Sequence, residues 1–337
     1  MTRTPPRARE IRWGVVGPGR IAENVMHDFA LVPGARPVAV GSRSLERAQA
    51  FAERHDLERA HGSYAELLAD DEVDVVYIAT PHPQHHAVAL GALRAGKAVL
   101  VEKSFTATAE GTAEVIAEAH RRGVFAMEAM WTRFQPAVVR LRDLVEDGAI
   151  GEVRSVSAEL GVQRRYDPTD RLYDPAQGGG SLLDLGVYPV SFAQMVLGDP
   201  DRVSAVGSLF PTGVDAEAGL LLGYDDGRSA ALACSLRCAL PGDARVYGTK
   251  GWIDVLPRFH HPQTIVLHRN HAEPATITLP QRGTGYAHEL AEVTRCLQEG
   301  RTESDVMPLR DTQAVMDVLE AAADQLGVPL AEDPNVL

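Results

Sequence analysis

Asp184 and Tyr188 stand four residues apart in Gly178-Gly-Gly-Ser-Leu-Leu-Asp184-Leu-Gly-Val-Tyr188. A helix through this run puts a carboxylate and a phenol on one face. A second polar group, Glu102-Lys103, closes the apolar run ending at Val101, and a third, Thr80-Pro81-His82-Pro83-Gln84-His85-His86, follows Ala79. A lysine ammonium beside a phenol and a carboxylate is suited to moving a proton at a hydroxyl or carbonyl oxygen. Each group also has a plainer reading. Ser181-x-x-Asp184 has the spacing of a capping box, Tyr188 fits a helix core, and Glu102-Lys103 fits a surface pair. Among the histidines, one orients the loop and the others are exposed; metal ligation would need a carboxylate or cysteine pattern that is missing here, so no metal is expected.

The stretch Trp13-Gly-Val-Val-Gly17-Pro-Gly19-Arg20-Ile21-Ala22 runs from apolar residues through a glycine turn into a helical pattern. Gly17 and Gly19 occupy the first two positions of G-x-G-x-x-G/A, and Ala22 the third. Such a turn brings backbone and a helix N-terminus, here opened by Arg20 and Ile21, against a pyrophosphate. The second strand ends in Gly41-Ser42-Arg43-Ser44, without the acid that binds the ribose hydroxyls of NAD. Arg43 either pairs with a 2′-phosphate, helped by Ser42, or is a solvated arginine in a cap turn; NADP is favoured over NAD. Ligands of open parallel sheets lie beyond the carboxyl ends of strands, which brings Thr80, Pro81, His85, Glu102 and Lys103 to the same cleft.

The elements that must position these groups follow from periodicity. Strands are expected at Arg12–Val16, Pro37–Gly41, Val73–Ala79, Lys97–Val101 and Val124–Met127. Helices fall between them at Ile21–Leu31, Leu45–His55, Ser63–Leu68, His85–Ala95 and Ala109–Arg122. This alternation specifies a doubly wound parallel sheet, an α/β Rossmann domain over residues 10–133. After a helix at Pro136–Glu146 the strands cluster, at Val153–Leu160, Val203–Leu209, Ala218–Tyr224, Ser229–Ser235, Gly251–Val255 and Thr264–Leu267, with turns at Asp225–Gly227 and Thr249–Gly251. Helices are expected at Ser181–Leu197, Ala287–Glu299 and Leu309–Gln325. Residues 134–337 thus read as an α+β domain on a large, mostly antiparallel open sheet. Its apolar strands need a cover on their second face, which points to a homo-oligomer, a dimer or tetramer.

The 337 residues carry 45% hydrophobic and 23% charged side chains and a formal charge of −13. That charge argues against nucleic acid or an acidic membrane as partner. The basic, proline-containing first ten residues read as a loose tail, and no run is expected to span a bilayer. Cys234, Cys238 and Cys296, an odd and sparse set, read as reduced thiols of a cytoplasmic protein, with Cys234 and Cys238 as buried small side chains rather than metal ligands.

Together, Gly17-x-Gly-x-x-Ala22, Thr80-Pro-x-x-x-His85, Glu102-Lys103 and Asp184-x-Gly-x-Tyr188 resemble the glucose–fructose oxidoreductase, inositol dehydrogenase and MocA (Gfo/Idh/MocA) family, in family order and over nearly the whole chain. Within it, Ser42-Arg43, Pro81-His-Pro-Gln-His85, Met127–Phe134 and Gly179–Tyr188 resemble the dihydrodiol and NADP-dependent xylose dehydrogenases. The resemblance implies a catalytic Lys103 with Asp184 and Tyr188 at the substrate, and it adds Trp131 and Arg133 to the cofactor side. It implies a sugar, cyclic polyol or trans-dihydrodiol substrate, with Lys103 lowering the Tyr188 phenol toward working range or acting as the acid–base group itself. An NAD-linked inositol or amino-sugar dehydrogenase, or a sensor without turnover, are the alternatives. The chain departs from the family's Glu-Lys-Pro at Ser104, which puts any special backbone geometry there in question.

Overall fold

The computed structural model describes residues 9–337; the rest of the expected tail lies outside the described residues. The first half alternates β1 (Ile11–Val16), α1 (Arg20–Phe29), β2 (Ala35–Gly41), α2 (Leu45–Arg54), β3 (Arg59–His61), α3 (Tyr64–Leu68), β4 (Val75–Ile78), α4 (His82–Arg94), β5 (Ala98–Glu102), α5 (Ala109–Arg122) and β6 (Ala126–Ala129). Local chemistry sets several boundaries. Ser44, Ser63 and Thr108 accept a backbone N–H at the starts of α2, α3 and α5, and Gly123 ends α5 with φ 63°. The six strands are all parallel, in the order β3-β2-β1-β4-β5-β6. β1, β4, β5 and β6 are almost wholly buried, because helices cover both faces. The strand order turns back between β1 and β4, which opens a crevice at their carboxyl ends.

A 3₁₀ turn at Trp131–Phe134 and α6 (Pro136–Glu146) lead to the second half: β7 (Val153–Gly161), α7 (Val187–Leu197), β8 (Arg202–Leu209), β9 (Asp215–Gly223), β10 (Ser229–Ser235), β11 (Ala244–Gly248), β12 (Gly251–Val255), β13 (Thr264–Arg269), β14 (Ala275–Thr278), α8 (Ala287–Gln298) and α9 (Leu309–Leu326). These strands form an eight-stranded sheet, β14-β13-β12-β11-β7-β10-β9-β8, in which only β7 and β10 pair in parallel. Helices α6, α7 and α9 cover one face. The other carries Val206, 74% exposed, and Leu221, 56% exposed, around a shallow depression of about 700 Å³.

The structure adds three strands to those expected. β3 has three half-buried residues, and β14 is an edge strand without a fully buried side chain, so neither shows a clear period. β11 follows directly on a loop and alternates over only five residues. The helix expected from Ser181 is broken: Leu182–Gly186 is a π-helical turn that passes into α7. The stretch Pro175–Leu197 is, contrary to expectation, long and apolar enough for a membrane span, but it is mostly buried within this fold. Of the two cysteines expected to be buried, Cys234 is buried and Cys238 is exposed; Cys296 is buried as well. Cys238 sits just past the end of β10, where the chain leaves the sheet.

The two halves are laced together by late segments. α8 packs on α1, β1 and β2, and α9 packs on α5 and β6 as well as on α7 and β8. Fully buried Asp28 of α1 accepts the N–H groups of Thr284 and Ala287 at the start of α8. Beyond α9, Glu332 Oε1 accepts from Ala107 N, Thr108 N and Thr108 Oγ, and Asp333 N donates to the Pro83 carbonyl.

α4 begins at His82, three residues earlier than expected, since prolines are tolerated in a first turn. Two histidines are consequently buried there rather than one. His82 lies between the carbonyls of Gly178 and Lys103, at 3.0 and 3.2 Å, and His85 between those of Ser104 and Thr80, at 2.9 and 2.8 Å. Burial, opposed by the two carbonyls, lowers His85 to about 4. The unfolded chain, at the ordinary 6.5, therefore binds this proton first, so stability is lost as the pH falls from 6.5 toward 4. Urea unfolding should show His85 contributing about 2 kcal/mol of the loss between pH 7 and pH 5. In His85→Gln that part of the slope should vanish; equal slopes in the two proteins would contradict it.

Candidate active site

The carboxyl ends of β1, β4, β5 and β6 open into one cavity of about 550 Å³. Its floor is the turn after β1. Gly17 has φ +86°, and a Cβ there would lie 3.0 Å from the Ala79 carbonyl, so the first glycine is required by both backbone and neighbour. At Gly19 an added Cβ would meet no atom within 4 Å. It would enter the cavity, occupying the space across which a pyrophosphate approaches backbone. Gly19 is also the N-cap of α1 and offers no side-chain cap, which leaves first-turn N–H groups of α1 available to an anion. Thr80 Oγ is buried with no hydrogen-bond partner among the described residues. These features fit a dinucleotide, and Gly19, Arg20, Ile21, Thr80 and Pro81 all line the cavity.

Lys103 enters from the end of β5. Its Nζ donates to the Asp184 backbone carbonyl at 2.8 Å and lies 3.8 Å from Asp184 Oδ1 and 5.0 Å from the centre of the Tyr188 ring. Asp184 also receives Arg171 at 3.0 Å. Burial alone would raise the Asp184 carboxyl, but Lys103 and Arg171 hold it well below the usual carboxylate range. The capping-box reading of Asp184 is not realised: Ser181 Oγ donates to Asp215 Oδ2 at 2.6 Å, and Asp184 faces cations.

Tyr188 corrects an expectation. Its phenol is raised well above 10, by burial first and then by the charges of Glu102 and Asp184. Lys103 sits over the ring face, where it does not offset burial at the hydroxyl. Glu102, itself raised by burial, accepts from Tyr77 Oη at 2.5 Å and also lines the cavity. At neutral pH the Tyr188 phenol therefore keeps its proton.

Of the other residues singled out in the sequence, Trp131 lines the cavity, stacked on Tyr286 with ring centres 4.4 Å apart. His85 lies behind the wall, bridging Thr80 and Ser104. Ser42 and Arg43 lie beyond the cavity lining, at the end of β2. Ser42 is buried, and Arg43 is exposed beside Tyr64. Arg133 is not at the site. Its guanidinium is buried on the far side, bound to Asp311 Oδ2, Gln194 Oε1 and Ser191, where it joins the 3₁₀ turn to α7 and α9. Sequence reasoning missed Asn24, Arg164, Arg171 and Tyr286, all in the lining. Asn24 lay in the expected first helix, four residues after Arg20, which is the one signal available. The Lys103–Ser104 peptide is cis, so the geometry questioned on account of Ser104 is present.

Residues 11–130 match the family model for an oxidoreductase family with an NAD-binding Rossmann fold, and residues 138–254 match the GFO/IDH/MocA C-terminal domain. The chain is 40% identical over 335 residues to trans-1,2-dihydrobenzene-1,2-diol dehydrogenase of Bos taurus, covering 96% of this chain and 99% of the relative. Among solved structures, KijD10, a 3-ketoreductase from Actinomadura kijaniata in complex with NADP and TDP-benzene, superposes with TM-score 0.82 at 27% identity, over 94% of this chain and 98% of that one. The aldose-aldose oxidoreductase from Caulobacter crescentus, complexed with glycerol, gives 0.85 at 26%, over 95% and 98%. Likeness of this extent, on a chain that builds the dinucleotide turn and sets a lysine beside it, has one meaning: the chain is an NAD(P)-dependent dehydrogenase of the Gfo/Idh/MocA family.

Proposed function

We propose that the protein is an NADP-dependent oxidoreductase that moves hydride between nicotinamide and a secondary alcohol or hemiacetal carbon of a sugar, cyclic polyol or trans-dihydrodiol. The observation that carries this reading is the meeting of Lys103, Asp184 and Tyr188 in the cavity that α1 opens into. The lining of that cavity combines an aromatic surface, Trp131 stacked on Tyr286, with a charged one of Lys103, Arg171 and Asp184. A ring with an apolar face and hydroxyls at its rim suits both surfaces. The Bos taurus relative is named for such a diol.

When bound, the nicotinamide supplies the hydride exchange. Lys103 fixes the reacting oxygen and stabilises its developing negative charge. Tyr188 gives that oxygen its proton in reduction and takes it back in oxidation. Asp184 holds Lys103 and Arg171 in place and accepts from a substrate hydroxyl. A mixed panel of sugars and diols, followed by NADPH fluorescence, tests the reading. Lys103→Met should lower kcat by at least about 10²-fold, and Tyr188→Phe by about 10²–10⁴-fold, with cofactor affinity little changed. Near-full turnover in both variants would end it.

NADP preference rests on Ser42 and Arg43. Arg43 is exposed, and the group beside it is the neutral Tyr64 hydroxyl, so its guanidinium can turn to a 2′-phosphate. Calorimetry should give tighter binding of NADP than of NAD, and Arg43→Asp should reverse the order. Tighter NAD binding to the unaltered protein would refute the assignment.

A homo-oligomer is supported by the uncovered sheet face with Val206 and Leu221. Light scattering across a dilution series should give a dimer or larger, and Leu221→Glu should shift it to monomer while the circular dichroism is kept. A strictly monomeric parent protein would contradict it.

A further inference from the structure

Lys103 is half of a double contact. While its Nζ donates to the Asp184 carbonyl at 2.8 Å, the hydroxyl of the next residue, Ser104, donates to the Leu183 carbonyl at 3.0 Å. Two consecutive side chains at the end of β5 thus hold two consecutive carbonyls of the π-helical turn. Ser104 is 0% exposed, so its bond is shielded from competing water.

The turn's own winding explains why those carbonyls are available. In an α-helix the Leu183 carbonyl would receive the N–H of Val187. Here Val187 N–H reaches back to Leu182. In that five-residue register the donor for Asp184 is residue 189, a proline, which has no N–H. The Asp184 carbonyl is left to Lys103, and Ser104 takes Leu183. From the opposite side, buried Asp215 at the start of β9 accepts both Ser181 Oγ at 2.6 Å and Leu182 N at 2.7 Å. The turn is therefore gripped between the parallel sheet and the second sheet, and a proline at position 104 would have no hydroxyl to give.

We propose that Ser104 is a positioning residue. Its hydroxyl pins the π-helical turn to the end of β5 and so holds Asp184 and Tyr188 in register with Lys103. The proposal rests on the catalytic reading of those three residues, and its test separates the two.

Ser104→Ala removes the hydroxyl and little volume. Hydrogen–deuterium exchange on the protein without added ligand should show peptides spanning 182–192 exchanging faster, by about five- to tenfold, with the rest of the chain unchanged. In turnover, kcat should fall by about five- to tenfold while the Kd for NADP stays within about twofold. Unchanged exchange in the turn overturns the proposal. So does accelerated exchange with unchanged kcat, which would make the contact structural only. So too does faster exchange throughout the chain with loss of NADP binding. If the unaltered protein turns over nothing on the panel, the catalytic reading has failed, and the exchange measurement alone decides whether Ser104 holds the turn.

Discussion

One half-buried ammonium links the two halves of this molecule at the cavity. Lys103 leaves the end of a parallel strand and meets a backbone carbonyl 81 residues further along the chain. Taking a cation out of water is costly unless its donors find acceptors and its charge a partner. Asp184 supplies both, through its carbonyl and its carboxylate, while Arg171 shares the same oxygen. The strand order that ends β5 beside the glycine turn, the burial of β5 on both faces, and the π winding after Ser181 are all needed for that contact. Each fails to serve it alone.

The surroundings are rich in buried acids. Glu102 lines the cavity, Glu128 at the end of β6 is pushed up to about 7 by burial against the pull of Arg133, and Glu289 of α8 is fully buried and raised further. Both carboxyl oxygens of Glu289 and of Glu128 have no hydrogen-bond partner among the described residues. Groups so placed are protonated more readily than in water. Their arrangement sets Lys103 and Arg171 among acids that are raised by burial or held in ion pairs, and burial together with those acids keeps the proton on the Tyr188 phenol.

Much of the fold was legible because its signals are local. α5 begins and ends where Thr108 and Gly123 place it, and Pro136–Glu146 and Ser229–Ser235 were read with their exact bounds. The parallel sheet followed from apolar runs alternating with helical periods. The π-helical turn was not legible, since the same apolar pattern serves an α-helix. What distinguishes them is Asp215, Ser104 and Lys103, brought in from elsewhere in the chain. Arg171 opens a three-residue 3₁₀ turn and Tyr286 caps the start of α8, positions where no period marks a buried face. The resemblance puts Arg133 on the cofactor side together with Trp131; only Trp131 faces the cavity, because a 3₁₀ turn sends residues two apart to different sides.

The grip of Glu332 on the start of α5 bears on how the polypeptide is made. The nucleotide-binding half is encoded first, yet the donors at Ala107 and Thr108 wait for an acceptor more than 220 positions downstream. The shell that α8 and α9 give to this half arrives equally late. During synthesis the amino-terminal half therefore keeps apolar surface uncovered until α8 and α9 have been made. Its shell is completed only when Glu332 and the helices before it are available, so the closing contacts of the first half depend on the second.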